Sequence, residues 1–201
     1  MLVFLKVLSV LLALIIFPYA TYFVLYLFLR GKLKRTLNRK RQYEPSVSLV
    51  IATYNEEENI ASKLKNIFEE VEYPHNKMEI IVVDSSTDNT PIIVKEWMKK
   101  YPNIRLIKEE KRRGLASALN TGYFEAKNEI VIKTDCDQLL KRDSIKNIVS
   151  NFADSHVGAV SGKQLLISSS KSEQGYRSLV DWKRLVENEV DSIYLHEPFS
   201  A

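Results

Sequence analysis

Short apolar runs alternate with amphipathic stretches over the larger part of this 201-residue chain, and no other feature constrains its fold as strongly. Two runs are rich in β-branched residues, VSLVIA at 47–52 and EIIVV at 79–83, which is typical of strands buried on both faces. Three weaker runs bring the predicted strands to five: residues 104–107, 129–132 and 157–160. Helical patterns separate the strands, at residues 59–72, 91–101, 115–126 and 144–152.

This order predicts an α/β fold of the Rossmann-like kind, with a mainly parallel sheet and helices on both faces. Strands that alternate with helices at this spacing are joined by right-handed crossovers, which make neighbouring strands parallel. Thr90, before Pro91, is expected to cap one helix, and Asp143 is expected to cap the last. Ligands of such sheets bind at the carboxyl ends of the strands, so the residues that follow the strands are the candidates for function.

Residues 2–29 are almost wholly apolar and are interrupted only by Lys6, Ser9, Pro18 and Thr21. A membrane-spanning helix needs about 20 such residues, so we predict a single transmembrane helix over residues 1–29. A cleavable signal peptide is the alternative. It is disfavoured because the apolar stretch is too long and no convincing small-x-small cleavage site precedes Arg30.

The positive charge of the chain is concentrated just after this apolar segment. The formal net charge of the chain is +4. All 25 acidic residues lie from Glu44 onward, and the same part of the chain contains 21 of the 29 basic residues. A basic linker over residues 30–44, next to a membrane span, stays on the cytoplasmic side, where it also meets anionic lipid. We therefore predict a single-pass membrane protein with a cytoplasmic domain and membrane lipid as a partner, and not a nucleic-acid-binding protein.

Acidic and amide side chains follow three of the predicted strands. The chain reads TYNEE at residues 53–57, DSSTD at 84–88 and KTDCD at 133–137. The first of these turns contains no glycine, and the sequence has no Gly-Lys-Ser phosphate loop. These are the usual backbone cradles for dinucleotides and nucleoside triphosphates, so the phosphates of a ligand need another partner here.

Asp135 and Asp137 provide such a partner, because carboxylate oxygens suit Mg²⁺ or Mn²⁺ and such a cation neutralises a diphosphate. Aspartates at this spacing also occur in surface turns, so a capped turn leading into the next helix is the alternative. The single cysteine, Cys136, lies between them and has no second cysteine with which to form a disulfide or a cysteine-based metal site.

Two other residues at the strand ends have both a binding and a structural interpretation. Asp84 ends an apolar strand, where it can accept a hydrogen bond from the imide N–H of a nucleobase or take part in the turn that follows. Tyr54 can stack on a base or cover the edge of the sheet. The residue patterns alone leave these alternatives open.

Four segments carry a longer pattern across residues 45–162: PSVSLVIATYNEEENI, EIIVVDSSTDNT, RRGLASALNTGYFEAKNEIVIKTDCDQL and GAVSG. In order and spacing they resemble the family-two glycosyltransferases of GT-A fold. The resemblance implies a nucleotide-diphospho-sugar donor and a divalent cation, Mg²⁺ or Mn²⁺. It implies that Asp84 faces the base and that both Asp135 and Asp137 bind the metal. The nucleotide-sugar-binding residues assigned in this way are Thr53, Tyr54, Glu57, Asp84, Arg113 and Asp135.

The chain departs from the family pattern at three positions. Val83 stands where the family usually has a first acid at the end of the second strand, and Leu115 stands where lysine is common. Cys136 replaces a small alanine and is expected only to pack. Upstream of Leu115, Arg112 and Arg113 are either phosphate partners or solvated surface cations.

The catalytic base is not identified. Inverting enzymes of this family use a carboxylate to deprotonate the acceptor hydroxyl, in an acidic motif that we expect beyond Ala201. Residues 45–170 are assigned to the nucleotide-sugar-binding domain, and residues 171–201 to an amphipathic helix and the start of an acceptor region.

The sequence favours a membrane-anchored glycosyltransferase that acts on a lipid-phosphate or polysaccharide acceptor. A fragment that binds a nucleotide-sugar, or a protein partner, without transfer is the alternative. A nucleotidyltransferase is disfavoured because its glycine-rich basic turn after the first strand is absent from the sequence.

Overall fold

The computed structural model describes residues 1–30, 43–155, 157–162 and 180, and it divides into two units that are treated separately below. The predicted linker over residues 30–44 falls outside these ranges, apart from its first and last residues. The amphipathic helix predicted within residues 171–201 also falls outside them, apart from Val180.

The first unit contains a single described helix, α1 (Leu2–Arg30), of 29 residues. At 1.5 Å per residue it is roughly 43 Å long, which exceeds the hydrocarbon thickness of a bilayer of about 30 Å. Residues Val3–Val24 have a mean hydropathy of 2.3, and none of this stretch is buried inside the protein. The helix is therefore long and apolar enough to cross a membrane, as an N-terminal signal sequence also is.

The second unit is built on a four-stranded parallel sheet in the order β3-β2-β1-β4. Its strands are β1 (Val47–Thr53), β2 (Met78–Asp84), β3 (Ile104–Lys108) and β4 (Ile130–Lys133). The α/β fold with a parallel sheet is thus confirmed. The fifth predicted strand is wrong, because residues 157–160 form no strand. Gly158 and Ala159 interrupt that run, and neither has the branched side chain that favours a pleated, packed strand.

The helices confirm the predicted pattern to within a few residues at most ends. They are α2 (Ile60–Lys65), α3 (Thr90–Lys100), α4 (Leu115–Glu125) and α5 (Ser144–Val149). A π-helical turn, Asn66–Glu70, continues α2, and short 3₁₀ turns occupy His75–Lys77 and Ser150–Ala153.

Two predicted helix caps differ in detail. Asn89, not Thr90, is the N-cap residue of α3, and Thr90 is its first helical residue. The Thr90 hydroxyl instead donates to Asp88 Oδ1 over 2.6 Å. Asp143 is the N-cap residue of α5 as predicted, but its carboxylate accepts from the Asn147 side chain and bonds no backbone N–H of the helix.

The sheet is covered on both faces. The larger core packs α2, α3 and α5 on one face, around fully buried side chains such as Leu49, Ile80 and Leu64. Helix α4 covers the other face, where a Cβ on Gly122 would lie 2.3 Å from Val50 Cγ1. Glycine at this position therefore permits the close approach of α4 to β1. The two layers leave the carboxyl ends of the strands as an open edge.

Candidate functional site

The carboxyl edge of the sheet brings together the loops that follow all four strands. Thr53 at the end of β1 lies opposite Asp84 at the end of β2, and Asp84 lies opposite Lys108 at the end of β3. The β4 loop emerges on the other side of β1, two strand spacings or roughly 10 Å from the end of β2. The edge is therefore a row of polar side chains ordered by the parallel register.

Asp84 is fully buried and its carboxylate is bonded on both oxygens. Thr53 Oγ1 donates to Oδ1 over 2.9 Å, and the backbone N–H of Ser86 donates to the same oxygen over 3.2 Å, as does the Ser86 hydroxyl. Lys108 Nζ lies 2.8 Å from Oδ2. A buried carboxylate needs this kind of compensation. A nucleobase N–H that approaches Asp84 would share the carboxylate with Lys108.

The loops after β1 and β2 are joined by side-chain to backbone hydrogen bonds. Asn55 has a left-handed backbone with φ of 57°, and its N–H donates to Ser86 Oγ over 2.8 Å. In return, the N–H of Thr87 donates to Asn55 Oδ1 over 2.9 Å. These reciprocal bonds fix the direction in which Tyr54 leaves the sheet.

Glu57 belongs to the loop after β1, and its side chain contacts the N-cap residue of α3. Its carboxylate accepts from the backbone N–H of Asn89 over 3.1 Å and from the Asn89 side chain over 3.0 Å, while its own N–H donates to Asp88 Oδ2. Desolvation opposes ionisation of Asp88, but hydrogen bonds from Thr90 and from the Glu57 N–H outweigh it and lower the pKa of Asp88. The visible contacts of Glu57 thus stabilise the two loops.

The loop between β3 and α4 carries two arginines with different partners. The Arg112 guanidinium lies 3.8 Å from the centre of the Tyr54 ring, which is 39% exposed. Arg113 Nη2 lies 2.9 Å from Oε1 of Glu109, a residue whose side chain is only 4% exposed. The other oxygen, Glu109 Oε2, is buried and has no hydrogen-bond partner within the described part of the chain. Both cations are held at the same edge as Asp84.

Asp135 and Asp137 project from the loop after β4 while Cys136 between them points into the core, where it is 4% exposed. Burial raises the pKa of the Cys136 thiol to about 12, which agrees with the expected packing role. Asp135 Oδ1 lies 2.9 Å from Lys133 Nζ. Asp137 is exposed, and its carboxylate has no hydrogen bond or ion pair with any described residue.

These acids fit a cation that is shared with a ligand better than one enclosed by protein. No group of three or more His, Cys, Asp or Glu side chains able to hold a metal occurs in the described ranges. Mg²⁺ and similar hard cations are commonly bound through one or two carboxylates together with substrate phosphates and water. The amide oxygen of Gln138, next in the chain, is also buried without a partner among the described residues.

Lys63 on α2 is a site residue that the sequence analysis did not identify. Its side chain is fully buried because it lies in the apolar stripe of the helix that is formed by Ile60, Leu64 and Ile67. Desolvation by burial lowers its pKa to about 8, while the nearby Cys136, Asp135 and Asp137 oppose the shift. A lysine within an apolar helical stripe indicates a buried charge, but the sequence did not show which acids would lie near it.

Of the predicted residues, the structure places Thr53 and Asp84 in direct contact and Asp135 and Asp137 on one loop. Tyr54 and Arg113 border the same edge from two other loops, and their ligand roles stay predictions, as does that of Glu57. Lys108, Ser86 and Glu109 also belong to this edge and were missed. Their contacts arise from strand register, which no local pattern in the sequence displays.

The sequence profile described as glycosyl transferase family 2 matches residues 48–199. A probable glycosyltransferase of Bacillus subtilis strain 168, YdaM, is 34% identical over 133 residues, which cover 64% of this chain and 31% of that protein. The poly-β-1,6-N-acetyl-D-glucosamine synthase of Staphylococcus epidermidis is 30% identical over 151 residues, which cover 73% of this chain and 36% of that protein.

Among solved structures, the mannosyltransferase PcManGT of Pyrobaculum calidifontis, determined in complex with GDP-Man and Mn²⁺, has a TM-score of 0.72 and 36% sequence identity. The match covers 89% of this chain and 50% of that chain. The chain therefore spans about a third of the length of the curated relatives named above and half of this solved structure.

Proposed function

The chain belongs to glycosyl transferase family 2 and has the GT-A fold, and from this membership we propose that the carboxyl edge of its sheet binds a nucleotide-diphospho-sugar for transfer to an acceptor. The observation that carries the proposal is the loop after β4. It leaves Asp137 exposed and without a hydrogen bond or ion pair to any described residue. A carboxylate held in this way is available to a cation and its phosphate ligands.

We assign the diphosphate to the Asp135 and Asp137 end of the edge. When bound there, Mg²⁺ or Mn²⁺ would neutralise the diphosphate and stabilise the negative charge of the leaving nucleotide. The two aspartates are the residues that would hold the cation, and Arg113 would contact a phosphate oxygen. The Mn²⁺ and GDP-Man present in the mannosyltransferase complex support this assignment.

The nucleoside is assigned to the other part of the edge. Asp84 accepts a hydrogen bond from the base, and Thr53, which donates to Asp84 Oδ1 over 2.9 Å, fixes the orientation of that carboxylate. Tyr54 offers a half-exposed ring for stacking against the base, and Glu57 shapes the same border by holding the two loops together. The spacing of roughly 10 Å between the ends of β2 and β4 suits a ligand with a base at one end and phosphates at the other.

We further propose that α1 anchors the protein in a membrane and that the GT-A domain lies on the cytoplasmic side. The length and hydropathy of α1 support the anchor, and the run of basic residues that follows it supports the orientation. A membrane-associated acceptor, either a lipid-phosphate or a growing polysaccharide, suits such an anchor. The relative named as a poly-β-1,6-N-acetyl-D-glucosamine synthase supports the polysaccharide.

Calorimetric titration of the full chain in detergent with GDP- and UDP-sugars, with Mn²⁺ or with a chelator, tests donor binding. We expect binding that depends on the cation and falls by about 10- to 100-fold in Asp137→Asn. Glu129→Gln is the matched control, because Glu129 is an exposed acid immediately before β4, at the opposite edge of the sheet. Equal affinity with and without the cation, or in Asp137→Asn, would contradict the metal role. A transfer assay then separates an enzyme from a protein that only binds the donor.

A further inference from the structure

Lys63 contacts the two residues that flank the pair of acids. Its Nζ donates to Thr134 Oγ1 over 2.6 Å and to the backbone carbonyl of Gln138 over 2.5 Å. These partners are 71 and 75 residues away in sequence, and they stand immediately before Asp135 and immediately after Asp137. One buried ammonium group therefore connects both ends of the loop that carries the acids.

A second residue of the same helical segment holds the loop where it continues. Asn66 Nδ2 donates to the carbonyl of Leu140 over 3.0 Å, and the N–H of Leu140 donates to Asn66 Oδ1 over 2.8 Å. This amide pair is neutral and lies further from the acids. Lys63 differs from Asn66 because it brings a positive charge beneath the acidic loop.

Burial of an ammonium group is costly unless hydrogen bonds and opposite charges compensate it. A methionine would fill the same apolar stripe without this cost, so packing alone does not account for a lysine at this position. The loop of residues 134–138 carries an excess of negative charge, because its two carboxylates lie one residue apart and repel each other. The charge of Lys63 lowers this repulsion, and its two hydrogen bonds fix the backbone from which both aspartates project.

We infer that Lys63 is a positioning residue, which holds the loop of residues 134–138 so that Asp135 and Asp137 are arranged for a divalent cation before the cation binds. The inference rests on the proposed function for its ligand. The anchoring of the loop by Lys63 is independent of the proposed function, and it can be measured without metal or donor. Groups that orient metal ligands from behind typically change metal affinity by about 10- to 100-fold when removed.

The single cysteine provides the metal-free measurement. Cys136 lies inside the anchored loop and is 4% exposed, so its reaction with a disulfide reagent such as DTNB reports opening of the loop. In the full chain in detergent, we expect Lys63→Met to react several-fold faster than the parent while its melting temperature changes little. Lys65→Met is the matched control, because Lys65 is exposed on the same helix, and it should react at the parental rate.

Binding of Mn²⁺ in the presence of a nucleoside diphosphate, followed by electron paramagnetic resonance, gives the second readout. The sign of the change is informative. Removal of a nearby cation acts by Coulomb's law to strengthen Mn²⁺ binding, whereas loss of positioning weakens it. We expect Lys63→Met to weaken Mn²⁺ affinity by about 10-fold or more and to leave the affinity for the nucleoside without phosphates unchanged.

An unchanged thiol reaction rate, or a Mn²⁺ affinity equal to or tighter than that of the parent, would overturn the inference. If Lys63→Met does not fold, Lys63→Gln keeps a shorter hydrogen-bond donor in place of the charge, and the same two outcomes apply to it. A parent protein that binds no Mn²⁺, together with a faster thiol reaction in the variant, contradicts the proposed function and leaves the anchoring of the loop established.

Discussion

The two ends of the parallel sheet both carry acids and cations, but they pair them differently. At the amino edge, Glu79 accepts from Arg105 over 2.8 Å, from Ser48 Oγ over 2.8 Å and from the N–H of Lys127 over 3.1 Å. Arg105 also lies 2.7 Å from Glu125 Oε2. Glu79, Arg105 and Glu125 therefore form a closed network in which each charge has a partner within the protein.

The carboxyl edge has the same kinds of groups and leaves some of them unpaired. Asp137 has no partner among the described residues, and Glu109 Oε2 and Gln138 Oε1 are buried without one in the same part of the chain. Closed networks contribute to stability, whereas a buried polar oxygen without a partner is a cost that a ligand can offset. The difference supports the proposed site at the carboxyl edge without use of the family pattern.

The largest expected effect is loss of the proposed sugar transfer in Asp137→Asn without loss of stability, tested in a form of the protein that carries the acceptor region. The substitution removes an exposed charge that has no hydrogen bond or ion pair in the described protein, so the melting temperature should stay within about 2 °C of the parent. We expect the turnover number of the transferase to fall by about 100-fold or more, the usual result of removing one group that stabilises developing charge. A transfer assay and a thermal melt on the same preparation measure both quantities.

A large drop in the melting temperature of Asp137→Asn, together with the loss of activity, would contradict this difference between the two edges. In that case the carboxyl edge would be a second structural network, and the transfer defect would follow from unfolding.

Glu79→Gln at the amino edge should have the reverse pattern. Glu79 has a side chain that is only 12% exposed, and the ion pair with Arg105 would become a hydrogen bond from the guanidinium to an uncharged amide oxygen. We expect the free energy of unfolding to fall by about 1–3 kcal/mol, with unchanged affinity for the sugar donor. Denaturant unfolding and donor titration test this, with Glu96→Gln as the control because Glu96 forms an exposed pair with Lys99. A weaker donor affinity would show that the amino edge also serves the site.

The pH dependence of stability sharpens the role of Glu79. Desolvation acts to raise the pKa of Glu79, but hydrogen bonds from Arg105, the Lys127 N–H and Ser48 outweigh it, so the folded pKa is lowered. A carboxyl with a lowered folded pKa stabilises the fold above its unfolded pKa of about 4.3, and this contribution is lost as the pH falls through the folded value. The difference in unfolding free energy between parent and Glu79→Gln should therefore shrink in acid.

Unfolding titrations at a series of pH values, from neutral to below about 4.3, follow this difference. Asp88 at the other edge also has a lowered pKa, so both proteins should lose stability in acid. A difference that stays constant over the whole range would show that Glu79 is not stabilised as the charged form.

The sequence was sufficient for features that repeat locally. Strands β1 and β2 follow from dense β-branched runs, and Cys136 packs into the core as expected from its apolar side chain. The run at residues 157–160 had fewer branched side chains, and the predicted strand is absent there. Local composition thus predicts an element when nearly every residue agrees with it.

Contacts between distant segments could not be predicted in this way. Lys63 meets Thr134 across 71 residues of sequence, and Lys108 meets Asp84 because their strands are in register. In the sequence, Lys63 is one charged residue in a helical stripe and Lys108 one more charge after an apolar run. Their roles depend on which acid the fold places beside them, and that is set by packing and strand order.

The smallest expected effect concerns Arg112, the exposed cation at the carboxyl edge. Its guanidinium lies 3.8 Å from the centre of the Tyr54 ring, and an exposed contact of this type contributes about 0.5–1 kcal/mol. We expect Arg112→Gln to change unfolding free energy by less than about 1 kcal/mol and to weaken binding of a nucleoside diphosphate by about five-fold. Lys111→Gln is the control, because Lys111 is an exposed cation next in the chain. Equal small losses of affinity for the nucleoside diphosphate in both variants would identify Arg112 as a solvated cation that acts only through general electrostatics. A loss of affinity that is confined to Arg112→Gln, and that is absent with the nucleoside alone, would identify Arg112 as a phosphate partner.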